Sequence, residues 1–398
     1  MNSQFPDSFW NYKNFNMVNE LNIAGEFIYD GIDALNRMNT IDEIPLLFSF
    51  LYHVSVGIER IQKIILVLFG LNEQDDYQAF EKSLISHSHD DLNRRIKELC
   101  SSFSSTSREN AFLAVLSQFY ISARYSRFNV GMEYDLEKLE KQLVSKYIQN
   151  NLASERIEHH FITGQIIINH DVKELFGRVI GSLSKKYYCA VREGCDKAGT
   201  FSYELQPNSK AERIFYSTEQ KNSLYREKVN ESIALKEFFV YLRNTSDSNA
   251  FIRFIESINP LEMDPGMTNE YISDFCNGTI PQALIDEVET LYEGISIKDR
   301  IQLISGLGEM NADFEWIDVN QCFLLLKDLR EQKRDCKDFI EMVLPIVERI
   351  KEDETYYELV DGIPELCQQL LLHSIGEIDF LKHMECYYEQ LDQFYKEV

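Results

Sequence analysis

Between residues 44 and 70 the chain carries one apolar stripe that no isolated helix can keep out of water. Ile44, Leu47, Phe48 and Leu51 open the stripe, and Val54, Ile58, Ile61, Ile65 and Leu68 continue it at three- and four-residue steps. That spacing is the helical period, so these residues share a face. Glu59, Arg60, Gln62 and Lys63 fall mostly on the opposite side, and Gly70 is placed to end the helix. A lone helix is marginal in water, so this one must be the central member of a helical bundle. Its natural partner is a second apolar face made of Phe112, Val115, Leu116, Phe119 and Tyr120. Residues 44–69 and 111–123 are expected to lie against each other at the centre of the N-terminal half.

Other segments extend the helical pattern. Residues 8–37 read as a helix with Val18, Leu21, Ile23, Phe27 and Ile28 near the core, and Thr40 with Glu43 forms a capping box for the central helix. Asp90 and Asp91 suit the first turn of a helix running toward Cys100. Residues 134–149 and 219–243 are again amphipathic. Between them the composition changes: 161–168, 187–191 and 200–205 are rich in β-formers, which predicts a small β insertion within about 160–217. Beyond the linker between Pro260 and Pro265 the pattern is helical to the end. The expected fold is mainly α: a bundle over 1–250 interrupted by that β element, then a C-terminal helical domain over 251–398.

The formal charge of −25 bounds function more tightly than the length of 398 residues does. So acidic a surface repels phosphate backbones at long range, which argues against broad non-specific nucleic-acid binding while leaving room for a local basic groove. None of the eight cysteines is paired at a two-residue spacing, and free thiols in a reducing cytosol are expected. No basic segment followed by an apolar run opens the chain, and no apolar run approaches membrane-spanning length. The chain therefore reads as cytoplasmic, with no membrane partner. Phosphate-binding GxxxxGK[ST], dinucleotide GxGxxG, HExxH and GxSxG motifs are absent, which argues against the ordinary enzymes built on them. No cofactor is implied.

Three stretches together, YHVSVGIERIQKIILVLFG, SHDDLNRRIKEL and ISARYSRFN, resemble bacterial HEPN-type helical domains (higher eukaryotes and prokaryotes nucleotide-binding). FSYELQPNSKAERIF and FFVYLRNTSDSN look like later parts of such proteins. The resemblance covers roughly the first 250 residues. It implies a homodimer of defence or toxin type that binds or cleaves RNA or a nucleotide. Active members leave four to six residues between an Arg and a following His, so that a guanidinium holds the phosphate while imidazole does acid–base work. No Arg in this chain has a His at that spacing, and Arg156 stands too close to His159 and His160. Arg243 and Asn244 have the right opening, but Asn249 stands where the His would be, and an amide cannot shuttle a proton. The resemblance thus supports the fold and weakens the nuclease.

Each candidate site residue has a plainer reading beside the functional one. Arg124 and Arg127, with Arg243 and Asn244, are phosphate-binding candidates; surface salt bridges are the commoner fate of arginines in so acidic a chain. His159, His160 and His170 would make a metal site if they converged with Asp171. His87 and His89 could act as general bases or ligands, though loop solvation or helix capping is commoner. Lys185 and Lys186, beside Tyr187 and Tyr188, could neutralise and stack a nucleotide, or simply end a helix over core aromatics. Cys189 and Cys195 read as buried thiols. The opposing functional expectation is a non-catalytic dimerising adaptor that recruits a protein partner through its acidic helical C-terminal domain.

Overall fold

The computed structural model describes residues 8–122, 133–216, 223–246, 250–293, 295, 300–301, 304–308, 316–351 and 354–397. The chain is mainly helical and divides into two compact units, one formed by Met1–Glu237 with Ile272–Thr279 and one by Phe238–Tyr271 with Ile280–Val398.

The first unit opens with α1 (Ser8–Asn11), a π-helical turn (Tyr12–Asn16) and α2 (Met17–Arg37). The central helix α3 (Ile44–Gly70) follows, then α4 (Tyr77–Ser83), α5 (His89–Leu99), α6 (Ser107–Ser122), α7 (Glu133–Asn151), α8 (His170–Ala198) and α9 (Lys210–Tyr216). Helix α3 packs on α2, α8, α5 and α6. Phe48 of α3 meets Phe119 of α6 edge-on at 5.4 Å, so the two apolar rods do pair. Glu43 reaches back to the amides of Asn39 and Thr40 at 2.8 and 2.9 Å, which is half of the expected capping box, and α3 begins one residue later beside Pro45.

Two expectations need correction. First, α3 is 27 residues long and apolar enough to cross a membrane by length and composition. In the bundle, Leu47, Leu51, Val54, Ile58, Ile61 and Ile65 are nevertheless all covered by neighbouring helices. Second, no strand forms among the described residues. Residues 187–191 lie inside α8, and 200–205 are irregular chain around a turn at 202–203. Isolated antiparallel bridges, Thr40 to Ile167 and His159 to Ile166, are all that remains of the β insertion. Burial decides the outcome: Val172, Leu175, Phe176, Val179, Ile180, Leu183, Tyr187 and Val191 recur at helical steps and all enter the core.

Where α2 and α3 cross, Gly57 lets the backbones meet. A Cβ there would lie 2.6 Å from Ile28 Cγ1 and 2.9 Å from the Ala24 carbonyl oxygen. Alanine in a helix normally gains up to about 1 kcal/mol over glycine. Overpacking against backbone costs about 1–3 kcal/mol, so Gly57→Ala is expected to destabilise on balance, and Gly57→Leu to prevent folding. Urea unfolding checks this, and a Gly57→Ala protein more stable than the parent would refute the close approach.

Helix α10 (Leu224–Asn244) begins in the first unit and ends in the second; α11 (Ala250–Ser257) follows, and α12 (Thr268–Cys276) is again divided between the units, before α13 (Gln282–Tyr292), α14 (Trp316–Arg330), α15 (Cys336–Ile350), α16 (Glu354–Tyr357), α17 (Ile363–Leu371) and α18 (Glu377–Glu397) of the second. Helices α14, α15, α17 and α18 enclose a separate core of Val319, Leu326, Phe339, Val343, Val347, Ile363 and Phe380.

Candidate functional site

A cleft of about 680 Å³ in the first unit runs beside α3. The side of α3 that reads as solvent-facing in the sequence forms one of its walls. Glu59, Arg60 and Lys63 line it, joined by Glu20 and Phe27 of α2, Tyr52 and Val56 of α3, Tyr120 of α6, and Tyr12 and Asn16 of the π-helical turn. Single π-turns change the facing of the residues they hold and recur at functional sites.

Its charges are paired. Lys63 Nζ lies 2.6 Å from Glu59 Oε1, and the Arg60 guanidinium bonds to Glu20 while sitting 5.6 Å from the centre of the Phe27 ring. The second Glu59 oxygen takes a hydrogen bond from His87 Nδ1 at 3.0 Å, and the His87 ring leans on Tyr120 with centroids 4.9 Å apart. Burial would push the Glu59 carboxyl up, but the hydrogen bonds from Lys63 and His87 outweigh it and hold the group below the usual carboxylate range. An ionised carboxylate only accepts, so Nδ1 of His87 carries the proton and Nε2 is the acceptor of the neutral ring. His87 is half exposed, which leaves this carboxylate–imidazole pair open to solvent.

His89, two residues on, faces the opposite way into the bundle and is fully buried. Gln62 donates through Nε2 to the His89 carbonyl at 3.2 Å and to the Tyr187 hydroxyl at 2.8 Å. Its Oε1, 3.0 Å from His89 Nδ1, must therefore accept, and His89 Nε2 accepts the Ser55 hydroxyl at 2.8 Å. Tyr187 passes the chain on to Asn93 Oδ1 at 2.9 Å. Burial pushes the His89 pKa down to about 4, so the ring is neutral and structural.

The other candidates fare differently. His159 Nδ1 lies 3.0 Å from the Gly164 carbonyl, His160 faces Thr163, and His170 packs edge-on against Tyr225. Among the described residues no three His, Cys, Asp or Glu side chains converge as metal ligands. Arg243 and Asn244 are exposed in the last turn of α10. Arg124, Arg127 and Asn249 lie outside the described residues. Lys185 and Lys186 sit inside α8 rather than at a helix end, and Lys186 holds the buried Glu109 at 2.7 Å. All eight cysteines are free; Cys195 is buried but Cys189 is exposed, against the expectation for it.

No model of a known protein family matches the chain, and neither a curated protein nor a solved structure matches it.

Proposed function

We propose that the first unit is a HEPN-like bundle whose cleft along α3 takes one nucleotide, free in solution or at the end of an RNA. The observation that carries this reading is the pairing of Arg60 and Lys63 with four aromatic rings, Tyr12, Phe27, Tyr52 and Tyr120, around one cavity. The rings offer faces on which a base stacks, a contact indifferent to base identity. The cations offer charge-assisted donors to a phosphate. Because Glu20 and Glu59 already balance both cations, the cleft has no surplus positive charge for a polyanion. A mononucleotide suits it better than a long RNA, in keeping with the net charge of −25. His87, oriented by Glu59 and leaning on Tyr120 of the cleft wall, is the group that would move a proton at the bound ligand.

Titration calorimetry with purine and pyrimidine mononucleotides tests this. Binding is expected, with Arg60→Ala weakening it about tenfold to a hundredfold, the loss of one charge-assisted contact of about 1.5–3 kcal/mol. His87→Gln should leave affinity nearly unchanged and remove any turnover of nucleotide or RNA. No binding by the folded parent protein, or equal binding by Arg60→Ala, would overturn the assignment.

A further inference from the structure

The acidity of the chain is unevenly divided. Phe238–Tyr271 and Ile280–Val398 hold 13 Lys and Arg against 32 Asp and Glu, a formal charge of −19 out of −25. On this acidic unit the turn between α17 and α18 and the helix ends beside it expose four apolar side chains. Leu371 is 58% exposed, Leu372 67%, Ile378 73% and Leu381 38%. The turn itself is well tied: the Leu372 amide bonds to Gln368, Ser374 to Gln369, and Phe380, itself buried, to Gly376. The exposed side chains are thus held on a fixed frame beside a packed core. Carboxylates interleave with them, since Glu377 and Asp379 flank Ile378 in the first turn of α18. Lys382, 3.5 Å from Asp379, is the cation paired there.

The geometry points to a docking surface at this hairpin tip for a cationic amphipathic segment of another protein. Four apolar anchors on a rigid helical hairpin offer what the apolar face of a helix needs, with its residues at three- and four-residue steps. The surrounding carboxylates select a partner whose remaining positions are Lys or Arg, and raise its rate of encounter. The same charge works against the other occupants. A second copy would bring an equally acidic unit to the contact, and an anionic lipid surface would repel it. Nucleic acid is excluded by the same sign.

The test uses the full chain and a fluorescent synthetic helical peptide with leucines at three- and four-residue steps and lysines elsewhere. A second peptide carries glutamates in place of the lysines. Fluorescence anisotropy should show binding of the lysine peptide only, weakening as salt rises from about 50 to about 300 mM. Replacing Leu372 and Ile378 together by glutamine leaves charge unchanged and removes two anchors, so affinity should fall at least tenfold. Both sites are exposed, and a circular-dichroism melt confirms that the variant folds. Failure of the lysine peptide to bind would overturn the proposal. So would equal binding by the double variant, which would mean charge attraction without a docking surface. Sedimentation showing that the parent self-associates and the double variant does not would assign the tip to a second copy instead.

Discussion

Lowering the pH from 7 to 4 is expected to remove about 3 kcal/mol from the stability of the first unit through His89 alone. The ring is neutral in the fold, with its pKa pushed down to about 4 from an ordinary value of 6.5. Above pH 6.5 neither the folded nor the unfolded chain binds a proton there, and the contribution is fully present. As the pH falls from 6.5 to about 4, only the unfolded chain takes up the proton, and each unit of pH costs about 1.4 kcal/mol. Below about 4 the folded ring protonates as well and the loss levels off.

Several charges act on the ring from a distance: Glu59 favours its protonation, while Lys63 and His87 oppose it. The carboxylates that partners hold low, among them Glu59, Glu109, Glu174 and Glu231, begin to lose their contributions only as the pH falls toward 4.5, their ordinary value, and go on losing them below it, so they add to the loss only at the bottom of this window. Asp90, pushed up by burial, works in the opposite direction and softens the fall. The measurement is amide exchange in α3 and α5 between pH 7 and 4, for the parent and for His89→Gln. The variant is less stable at pH 7, but its profile should be flatter by about 3 kcal/mol. Nitrogen-15 spectra provide a direct check. A His89 ring that titrates near 6.5 would end the account, and one still protonated only on Nδ1 at pH 5 would support it.

That buried chain of polar groups also shows where sequence reasoning stops. The period of residues 44–70 and 111–122 was enough to pair α3 with α6, because burying a continuous stripe leaves a helix few options. The same logic extends around α3. Gly57, Ile61, Ile64, Val67 and Leu68 are all buried, so the helix is covered on nearly every side. On such a helix Glu59 and Gln62 cannot be solvent-facing, and a buried carboxylate or amide needs partners. Their partners, however, are not local. His87 lies 28 residues from Glu59, and Tyr187 lies 125 residues from Gln62. No spacing rule connects residues that only the folded bundle brings together. The β expectation failed for a different reason. The tyrosines and valines of 187–191 fit a pleated surface as isolated residues, but within 170–198 they complete a helical face whose burial outweighs intrinsic preference.

In the second unit, removing one carboxylate is expected to cost about 3 kcal/mol. Asp318 is 2% exposed and sits in the first turn of α14, where the helix dipole favours a negative charge. Arg349 of α15 grips Oδ1 through Nε at 3.0 Å and Nη2 at 2.9 Å, and Arg253 of α11 bonds to Oδ2. One acid thus ties together three helices whose residues stand 65 and 31 positions away, a link no local pattern in the sequence announces. Breaking a buried ion pair by deleting one partner costs about 3–5 kcal/mol, chiefly because the opposite charge is left without a counter-ion. Here the lower figure applies. Arg349 is partly exposed and can turn toward water, and Gln321 Oε1, 3.3 Å from Nη2, takes up part of the demand. Arg253 is more enclosed and bears most of the loss. Asp318→Ala should therefore lower the melting temperature of this unit, with Asp318→Asn falling between it and the parent because the amide oxygen still accepts one hydrogen bond. Replacing Arg253 by methionine in the Asp318→Ala background should recover part of the stability by removing the stranded cation. If that double variant is no more stable than Asp318→Ala, the cost lies in packing rather than in an unpaired buried charge.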